Sequence, residues 1–399
     1  MRETDVAIVG AGLAGSLAAT MLGRAGYAVT LIDPFERARP DFRCEKIEGP
    51  HAESLRKAGV LDEVLPAARR YENIWVARLG HLAEIKPIVE HGIAYGDLVN
   101  TIRDLVPESV EFCRDKITGI ALTPERQTLT SAGGEKISAR LVIGATGLGA
   151  GVLERIGMRR RELSKAHSLS IAFDADAEAL PFDSLTYFGE NPAHRVSYIT
   201  MFPLASGLRV NLFSYHELGD PWVRRCRDNP IAAIEEVLPN LTRLTGRLNV
   251  RGGVKIRPVD LIATENIVQP GMALVGDAFS TACPVSGTGA SKALLDVERL
   301  CNVYVPRWLA TAGMGSDKIG AFYRDRKKRR SDACSMRASL FSKRVALGET
   351  GLWDAFRWGC YAGSIGRNFI AHGRWPRTPS AFELLKQASL PPAVNCPHL

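Results

Sequence analysis

The run Asp5-Val6-Ala7-Ile8-Val9-Gly10-Ala11-Gly12-Leu13-Ala14-Gly15 constrains the fold more than any other segment of the chain. An apolar stretch ends in G-x-G-x-x-G, and Ser16 to Ala25 then reads as a helix of small residues. A second apolar run, Ala28-Val29-Thr30-Leu31-Ile32, ends in Asp33. Strand, turn, helix, strand and acid in that order form a dinucleotide-binding fingerprint, whereas a lone glycine-rich turn would not. Gly10 permits the tight turn, Gly12 lets backbone approach a pyrophosphate, and Gly15 lets the helix pack close to the sheet. The free N–H groups at the helix start, around Leu13 and Ala14, favour negative phosphates. Asp33 is placed to accept hydrogen bonds from a ribose hydroxyl pair.

At 399 residues the chain exceeds the size at which one core usually keeps growing, so one large or two interleaved domains are expected. The net charge of +8 comes partly from Arg159-Arg160-Arg161, which reads as a solvated turn, and Lys327-Lys328-Arg329-Arg330, which reads as the polar face of a helix. No nucleic-acid-binding module accompanies these clusters, so no nucleic-acid partner is expected. The eight cysteines lack C-x-x-C pairs and metal-ligand spacing, which argues against a metal site and fits a reducing cytosol. The first strand begins almost at Met1, so no signal peptide is expected and the location implied is cytoplasmic. No apolar run has the length of about 18 residues needed to span a bilayer.

Phe42 to Val64 has a helical rhythm, Ile74 to Val89 alternates as strands do, and Gly96–Val106 sets Leu98, Ile102, Leu105 and Val106 on one helical face. Short strands are expected near 110–113 and 117–122, then the apolar strand Ala139–Gly144. From His167 to about Ile262 the pattern is that of antiparallel strands around 168–173, 198–202 and 208–213, with a helical stretch over 230–244.

A second block follows in Ala273-Leu274-Val275-Gly276-Asp277-Ala278 and Pro284-Val285-Ser286-Gly287-Thr288-Gly289-Ala290-Ser291. A strand ends in Gly-Asp, and a Pro/Gly/Ser loop enters a helix expected over 291–303. That order sets a carboxylate near sugar hydroxyls and aims a helix N-terminus at an electron-rich group, such as the N1–C2 carbonyl edge of a flavin. Taken alone, the block would also suit a capped helix after a buried strand.

With both blocks in view, the chain resembles the single-component aromatic hydroxylases of the para-hydroxybenzoate hydroxylase-like superfamily. The resemblance covers most of the length and is weaker between the two blocks. It implies an α/β fold: a Rossmann-like FAD-binding domain with an inserted β-rich substrate domain and a helical C-terminal region. It further implies that Gly10, Gly12, Leu13, Ala14 and Gly15 shape the FAD pyrophosphate site, that Asp33 holds the adenosine ribose and Asp277 the ribityl chain. Pro284 would face the flavin ring, and Gly287, Thr288 and Gly289 would offer it backbone N–H groups. Arg43 sits about where the family has an FAD-facing arginine, although a surface arginine before a helix is the plain alternative.

One departure concerns the usual Asp-Gly pair after the third Rossmann strand, which reads Ala145-Thr146-Gly147 here. It leaves FAD binding intact and puts direct reduction by NAD(P)H in doubt. Gly147-Leu148-Gly149-Ala150-Gly151 can be read as a second dinucleotide loop, but one bound dinucleotide with transient NAD(P)H suits the rest of the chain better. In such hydroxylases the oxygen chemistry, through a C4a-hydroperoxyflavin, belongs to the cofactor, so no obligatory catalytic side chain is legible. Cys283, His216, Tyr215, His167, Tyr187, His194 and Tyr198 could assist, but a structural place is the simpler reading of each. The tail from Leu352 through Trp353, Phe356, Trp358 and Tyr361 to Phe369 and Ile370 has aromatic and basic residues at helical spacing. Such a helix can make a weak membrane-surface contact or pack on its own domain.

The expected FAD-binding domain comprises 1–70, 95–165 and 265–340, the substrate domain 71–94 and 166–264, and a helical cap 341–399. The expected reaction is FAD-dependent monooxygenation of a small aromatic or polycyclic substrate with O2 and NAD(P)H. The alternatives are an FAD-dependent reductase or dehydrogenase of an isoprenoid or lipid-like substrate, and a flavin-binding scaffold or sensor without turnover.

Overall fold

The computed structural model describes residues 1–149, 151–176 and 180–376. Contacts divide the chain into two compact units, Met1–Arg69 with Glu90–Ser168 and Pro258–Ser342, and Arg70–Val89 with Leu169–Arg257 and Lys343–Leu399.

The first unit is built on a seven-stranded sheet. Its parallel part runs Glu111–Cys113, Val29–Ile32, Arg2–Val9, Lys136–Gly144 and Met272–Leu274. Ile117–Ala121 and Gln127–Ser131 extend it antiparallel beside the first half of Lys136–Gly144. Val6 to Val9, Val29 to Ile32 and Leu141 to Ile143 are all buried, as continuous apolar strands covered on both faces must be. The helix Leu13–Arg24 is buried over nearly its whole length, which small residues such as Gly15, Ser16, Ala18 and Ala19 permit.

Registers place the ends of these strands level: Val9 lies beside Ile32 and Gly144, and Gly144 beside Leu274. The turns after them, carrying Gly10, Asp33, Thr146 and Gly276-Asp277, therefore gather at one edge. In open α/β sheets the carboxyl ends of parallel strands are where ligands bind.

The second unit holds most of an eight-stranded sheet ordered Asn249–Glu265, Arg159–Asp176, Gly207–Ser214, Val196–Leu204, Ser184–Phe188, Arg69–Arg78, His81–Gly92 and Lys46–Ile47. Apolar side chains of this unit, among them Ile171, Leu185, Met201 and Leu212, pack with helices Pro221–Asp228 and Pro230–Val237. Trp222 is buried there and donates its indole N–H to the Ala233 carbonyl at 2.8 Å. The C-terminal helix Gly351–His372 is bound to strand His81–Gly92: Asn368 accepts from the Ile85 amide, and Arg367 meets Glu84 at 3.0 and 2.8 Å. Over its described residues, the stretch from 343 onward thus belongs to the same compact unit as the sheet.

Two charge readings from the sequence need correction. Arg159 to Arg161 lie within the strand Arg159–Asp176, not in a solvated turn, and the Arg160 side chain is half-buried. Lys327, Arg329 and Arg330 are exposed on helix Arg326–Leu347 as expected, and only Lys328 departs, fully buried with its ammonium 2.8 Å from Asp296.

Candidate active site

The first glycine turn is sterically obligatory. Gly10 has φ 103°, a left-handed conformation that favours glycine. A Cβ at Gly15 would overlap the Gly10 carbonyl oxygen and lie 3.2 Å from the Ala145 Cβ, so helix and turn approach as closely as backbone allows. Gly12 caps helix Leu13–Arg24 without a side chain, and a Cβ there would come within 3.3 Å of the Tyr95 hydroxyl. That hydroxyl lies 3.5 Å from the Leu13 amide. The first turn therefore has no side-chain cap at Gly12, and of its amides Leu13 donates weakly to the Tyr95 hydroxyl.

Asp33 closes this turn from the neighbouring strand. Its Oδ2 accepts from the Ala11 amide at 2.8 Å and its Oδ1 from the Phe35 amide at 2.9 Å. Each carboxylate oxygen retains a lone pair for a ligand hydroxyl. Arg103, on helix Tyr95–Asp104, ties the two turns together. Its Nε donates to the Ala11 carbonyl at 2.8 Å, and its Nη1 to the Phe35 and Glu36 carbonyls at 2.7 Å each. Arg103 escaped the sequence reading, because an arginine ending an amphipathic helix is indistinguishable from a solvated one.

The second block lies against the first. Gly276 has φ 60°, and a Cβ on it would meet Ala293 at 3.3 Å and Ala14 at 3.7 Å. It is thus wedged between helix Leu13–Arg24 and helix Gly289–Arg299. The Thr288 side chain does not cap this second helix. Its hydroxyl instead meets the Ser286 and Ser335 hydroxyls, each at 2.7 Å. Two helices without side-chain caps, Leu13–Arg24 and Gly289–Arg299, consequently stand on either side of Gly276.

Asp277 is held from two directions. Arg43 donates from Nη1 to Asp277 Oδ2 at 3.2 Å, and its Nε meets Asp41 at 2.6 Å. Burial opposes the Arg43 charge, but the two carboxylates outweigh it and its pKa is raised. Arg160 donates to the Asp277 carbonyl at 2.9 Å and to the Gly147 carbonyl at 2.7 Å. Its Nε is buried without a partner, and burial lowers its pKa.

Gly147 has φ 59°, and the Thr146 hydroxyl donates to Gly149 at 2.9 Å. Only the five-residue helix Gly151–Arg155 follows, and Ala150 of the alternative second loop lies outside the described residues.

The remaining sequence candidates occupy structural places. Cys283, just before the short helix Pro284–Ser286, is buried with its thiol 3.2 Å from the Ser168 hydroxyl. His167 lies 3.1 Å from the Ser164 hydroxyl and 3.3 Å from the Ser339 carbonyl. His216, next to Tyr215, stacks on Trp222 at 4.3 Å. Tyr187 donates to Glu190 at 2.6 Å, His194 meets the Val237 carbonyl at 2.8 Å, and Tyr198 packs against Phe188 and Phe213.

The residues of the first unit fit an elongated ligand with an anionic centre. Uncapped helix N-termini suit a pyrophosphate and an electron-rich ring edge, and Asp33 and Asp277 suit sugar hydroxyls. FAD carries all of these groups.

A profile of the FAD-binding domain family matches residues 3–94 and 114–318. The chain is similar to 3-demethoxyubiquinol 3-hydroxylase of Escherichia coli (strain K12), being 27% identical over 324 residues, 76% of this chain and 80% of that relative. It is 28% identical to kynurenine 3-monooxygenase of Salinispora arenicola (strain CNS-205) over 336 residues, 74% of this chain and 71% of the relative. The solved structure of p-nitrophenol 4-monooxygenase PnpA from Pseudomonas putida DLL-E4 superposes with a TM-score of 0.75 at 18% identity. That alignment covers 91% of this chain and 94% of PnpA, a likeness of fold. The chain belongs to the FAD-binding domain family, among the para-hydroxybenzoate hydroxylase-like flavoproteins.

Proposed function

We infer that the chain is an FAD-dependent monooxygenase that hydroxylates a small aromatic or polycyclic substrate, using O2 and NAD(P)H. The observation that carries this reading is the convergence of both glycine turns on Gly276-Asp277. The relatives add support, since 3-demethoxyubiquinol 3-hydroxylase and kynurenine 3-monooxygenase are named for oxygen insertion.

When bound, FAD supplies the activation of O2 after it has been reduced by NAD(P)H. The protein binds and orients it. The amides of Leu13, Ala14 and Gly15, with the turn at Gly10 and Gly12, receive the pyrophosphate. Asp33 takes the adenosine ribose, and Asp277, steadied by Arg43, takes the ribityl hydroxyls. Gly287, Thr288 and Gly289 direct backbone N–H groups at the ring, beside Pro284, and favour negative charge there. No side chain is assigned a proton-transfer step.

A cytoplasmic location belongs to the same reading, supported by seven free cysteines among the described residues. Apart from that reading, a weak contact of the C-terminal region with a membrane surface is supported by its aromatic and basic residues at helical spacing.

The test is a substrate screen that follows stimulated NAD(P)H oxidation together with peroxide release on flavin-loaded enzyme. A phenolic or polycyclic compound that speeds oxidation and appears hydroxylated supports the reading. Correctly folded protein that is colourless and takes up no added flavin overturns it. Flavin reoxidised by O2 without product, in a protein that reduces an isoprenoid, would instead favour the reductase.

A further inference from the structure

Among the described residues, helix Gly351–His372 is fixed to its own unit through the face that carries Ser364, Ile365 and Asn368. Ser364, Ile365 and Asn368 are buried, and Asn368 and His372 hydrogen-bond the Ile85 amide and carbonyl. The outward stripe is apolar at both ends. Leu352, Phe356 and Trp358 are exposed near its start, and Phe369, Ile370 and Trp375 near its end. Ile370 is 86% exposed and Leu352 is 75% exposed, values that would mark a solvent-facing lysine. Between the two ends the exposed residues Gly359, Ala362, Gly363 and Gly366 add no charge. The ionic side chains on the helix are already engaged, Asp354 with Arg357 and Arg367 with Glu84.

The part of the chain that shares a unit with this helix is basic. Residues 343–376 contain five Lys and Arg against two Asp and Glu, a net of +3. An apolar stripe edged by Trp, within a net basic segment, has the composition of a helix that lies in the headgroup region of an anionic bilayer. Tryptophan favours that interface because its ring is apolar and its N–H is polar. No helix among the described residues is long and apolar enough to cross a membrane, so this one would lie along the surface.

We propose that the outward stripe of helix Gly351–His372 docks on the surface of an anionic lipid bilayer. Charge decides against the rival occupant, a second copy of the chain. The spacing Gly359-x-x-x-Gly363 would let two helices approach closely, but pairing like faces would bring two +3 segments together, whereas acidic headgroups neutralise them. The proposal stands independently of the flavin chemistry. One consequence does rest on the monooxygenase reading: docking brings the enzyme to aromatic substrates dissolved in the bilayer.

The experiment is co-sedimentation of the full chain with vesicles of phosphatidylcholine, with and without phosphatidylglycerol, over a range of salt. Binding should be at least about tenfold stronger with phosphatidylglycerol and should fall as salt screens the headgroups. Replacing both exposed anchors (Trp358→Ser with Ile370→Ser) should weaken it by roughly tenfold, with circular dichroism unchanged. Equal binding to both vesicles, or none, overturns the proposal, as does binding that the double variant retains. A salt-resistant dimer lost in the double variant would assign the stripe to a second copy. Binding that emerges only when residues 377–399 are removed would assign it to the chain's own tail. Stimulated NAD(P)H oxidation with a water-soluble aromatic should be unaffected by the double variant, so the two readings fail separately.

Discussion

The guanidinium of Arg43 lies 3.2 Å from the carboxylate of Asp277, joining residues 234 positions apart in sequence. The contact connects the segment after the second Rossmann strand to the Gly-Asp turn of the second block. If both residues serve one bound flavin, their effects on its affinity should be coupled. Asp277→Asn should raise the FAD dissociation constant about 10- to 100-fold, the loss of a charged hydrogen-bonding group worth roughly 1.5–3 kcal/mol. Arg43→Gln should weaken binding less, and the double variant should fall short of the sum by at least about 0.5 kcal/mol. Fluorescence titration of apoprotein measures all three. Strict additivity, or full occupancy in Asp277→Ala, would remove Asp277 from its assigned role.

Two glycines separate fold from cofactor. At Gly15 a Cβ collides with the Gly10 carbonyl, so Gly15→Ala should lose flavin and destabilise the apoprotein by about 2 kcal/mol or more. At Gly289 a Cβ meets only Ala282, at an ordinary 3.6 Å, and the backbone is helical. Gly289→Ala should therefore leave apoprotein melting unchanged. It should still lower FAD affinity several-fold, if backbone at that position approaches the ring. Unchanged affinity in a folded Gly289→Ala protein would contradict that close approach.

The parallel sheet was legible because its strands are buried on both faces. Val6 to Val9 and Leu141 to Ile143 are continuous apolar runs, and their turns carry glycines whose positive φ leaves few other choices. The long strands Arg159–Asp176 and Asn249–Glu265 were less so. They are half exposed and rich in Arg, Lys and Gly, so their alternation carries little contrast. The candidate site was legible where conformation or close approach selects glycine, at Gly10 by its φ and at Gly15 by its contact with the Gly10 carbonyl. It was illegible where a charged side chain acts on backbone carbonyls, as Arg103 and Arg160 do, because only tertiary structure tells a buried guanidinium from a solvated one.

Behind the second block lies a buried charge cluster. Lys328 donates to Asp296 Oδ1 at 2.8 Å, Asp296 Oδ2 accepts from the Gly276 amide at 3.1 Å, and Lys292 lies between Asp296 and Asp332 at 3.6 and 3.3 Å. Burial lowers the Lys328 pKa, and Asp296 counters it. Removing Lys328 would leave the buried Asp296 only its longer 3.6 Å ion pair with Lys292, so Lys328→Met should cost about 3 kcal/mol. Lys328→Met with Asp296→Leu should recover part of that stability, yet still bind FAD weakly, since Gly276 loses its acceptor. Urea unfolding and flavin titration on the parent and these two variants separate the effects. A single variant within about 0.5 kcal/mol of the parent would deny the cluster its structural importance.

Asp325 is buried where Arg299 donates to Oδ2 at 3.1 and 2.7 Å, Tyr304 donates at 2.9 Å and the Lys328 amide at 2.9 Å. Burial alone would raise its pKa, but these donors and the Arg299 charge outweigh it and lower the value to about 2. A carboxylate with a depressed folded pKa adds stability above its unfolded pKa, near 3.9, and loses it as pH falls through the folded value. The parent should therefore exceed Asp325→Asn by on the order of 1–2 kcal/mol from neutral pH down to about pH 5. That margin should shrink from about pH 4, fall to a few tenths of a kcal/mol near pH 2 and vanish below it. Denaturant unfolding of both proteins across this range reads the difference directly. A margin of the same size at neutral pH and near pH 2 would mean that shape, and not the Asp325 charge, holds Arg299 and Tyr304 in place.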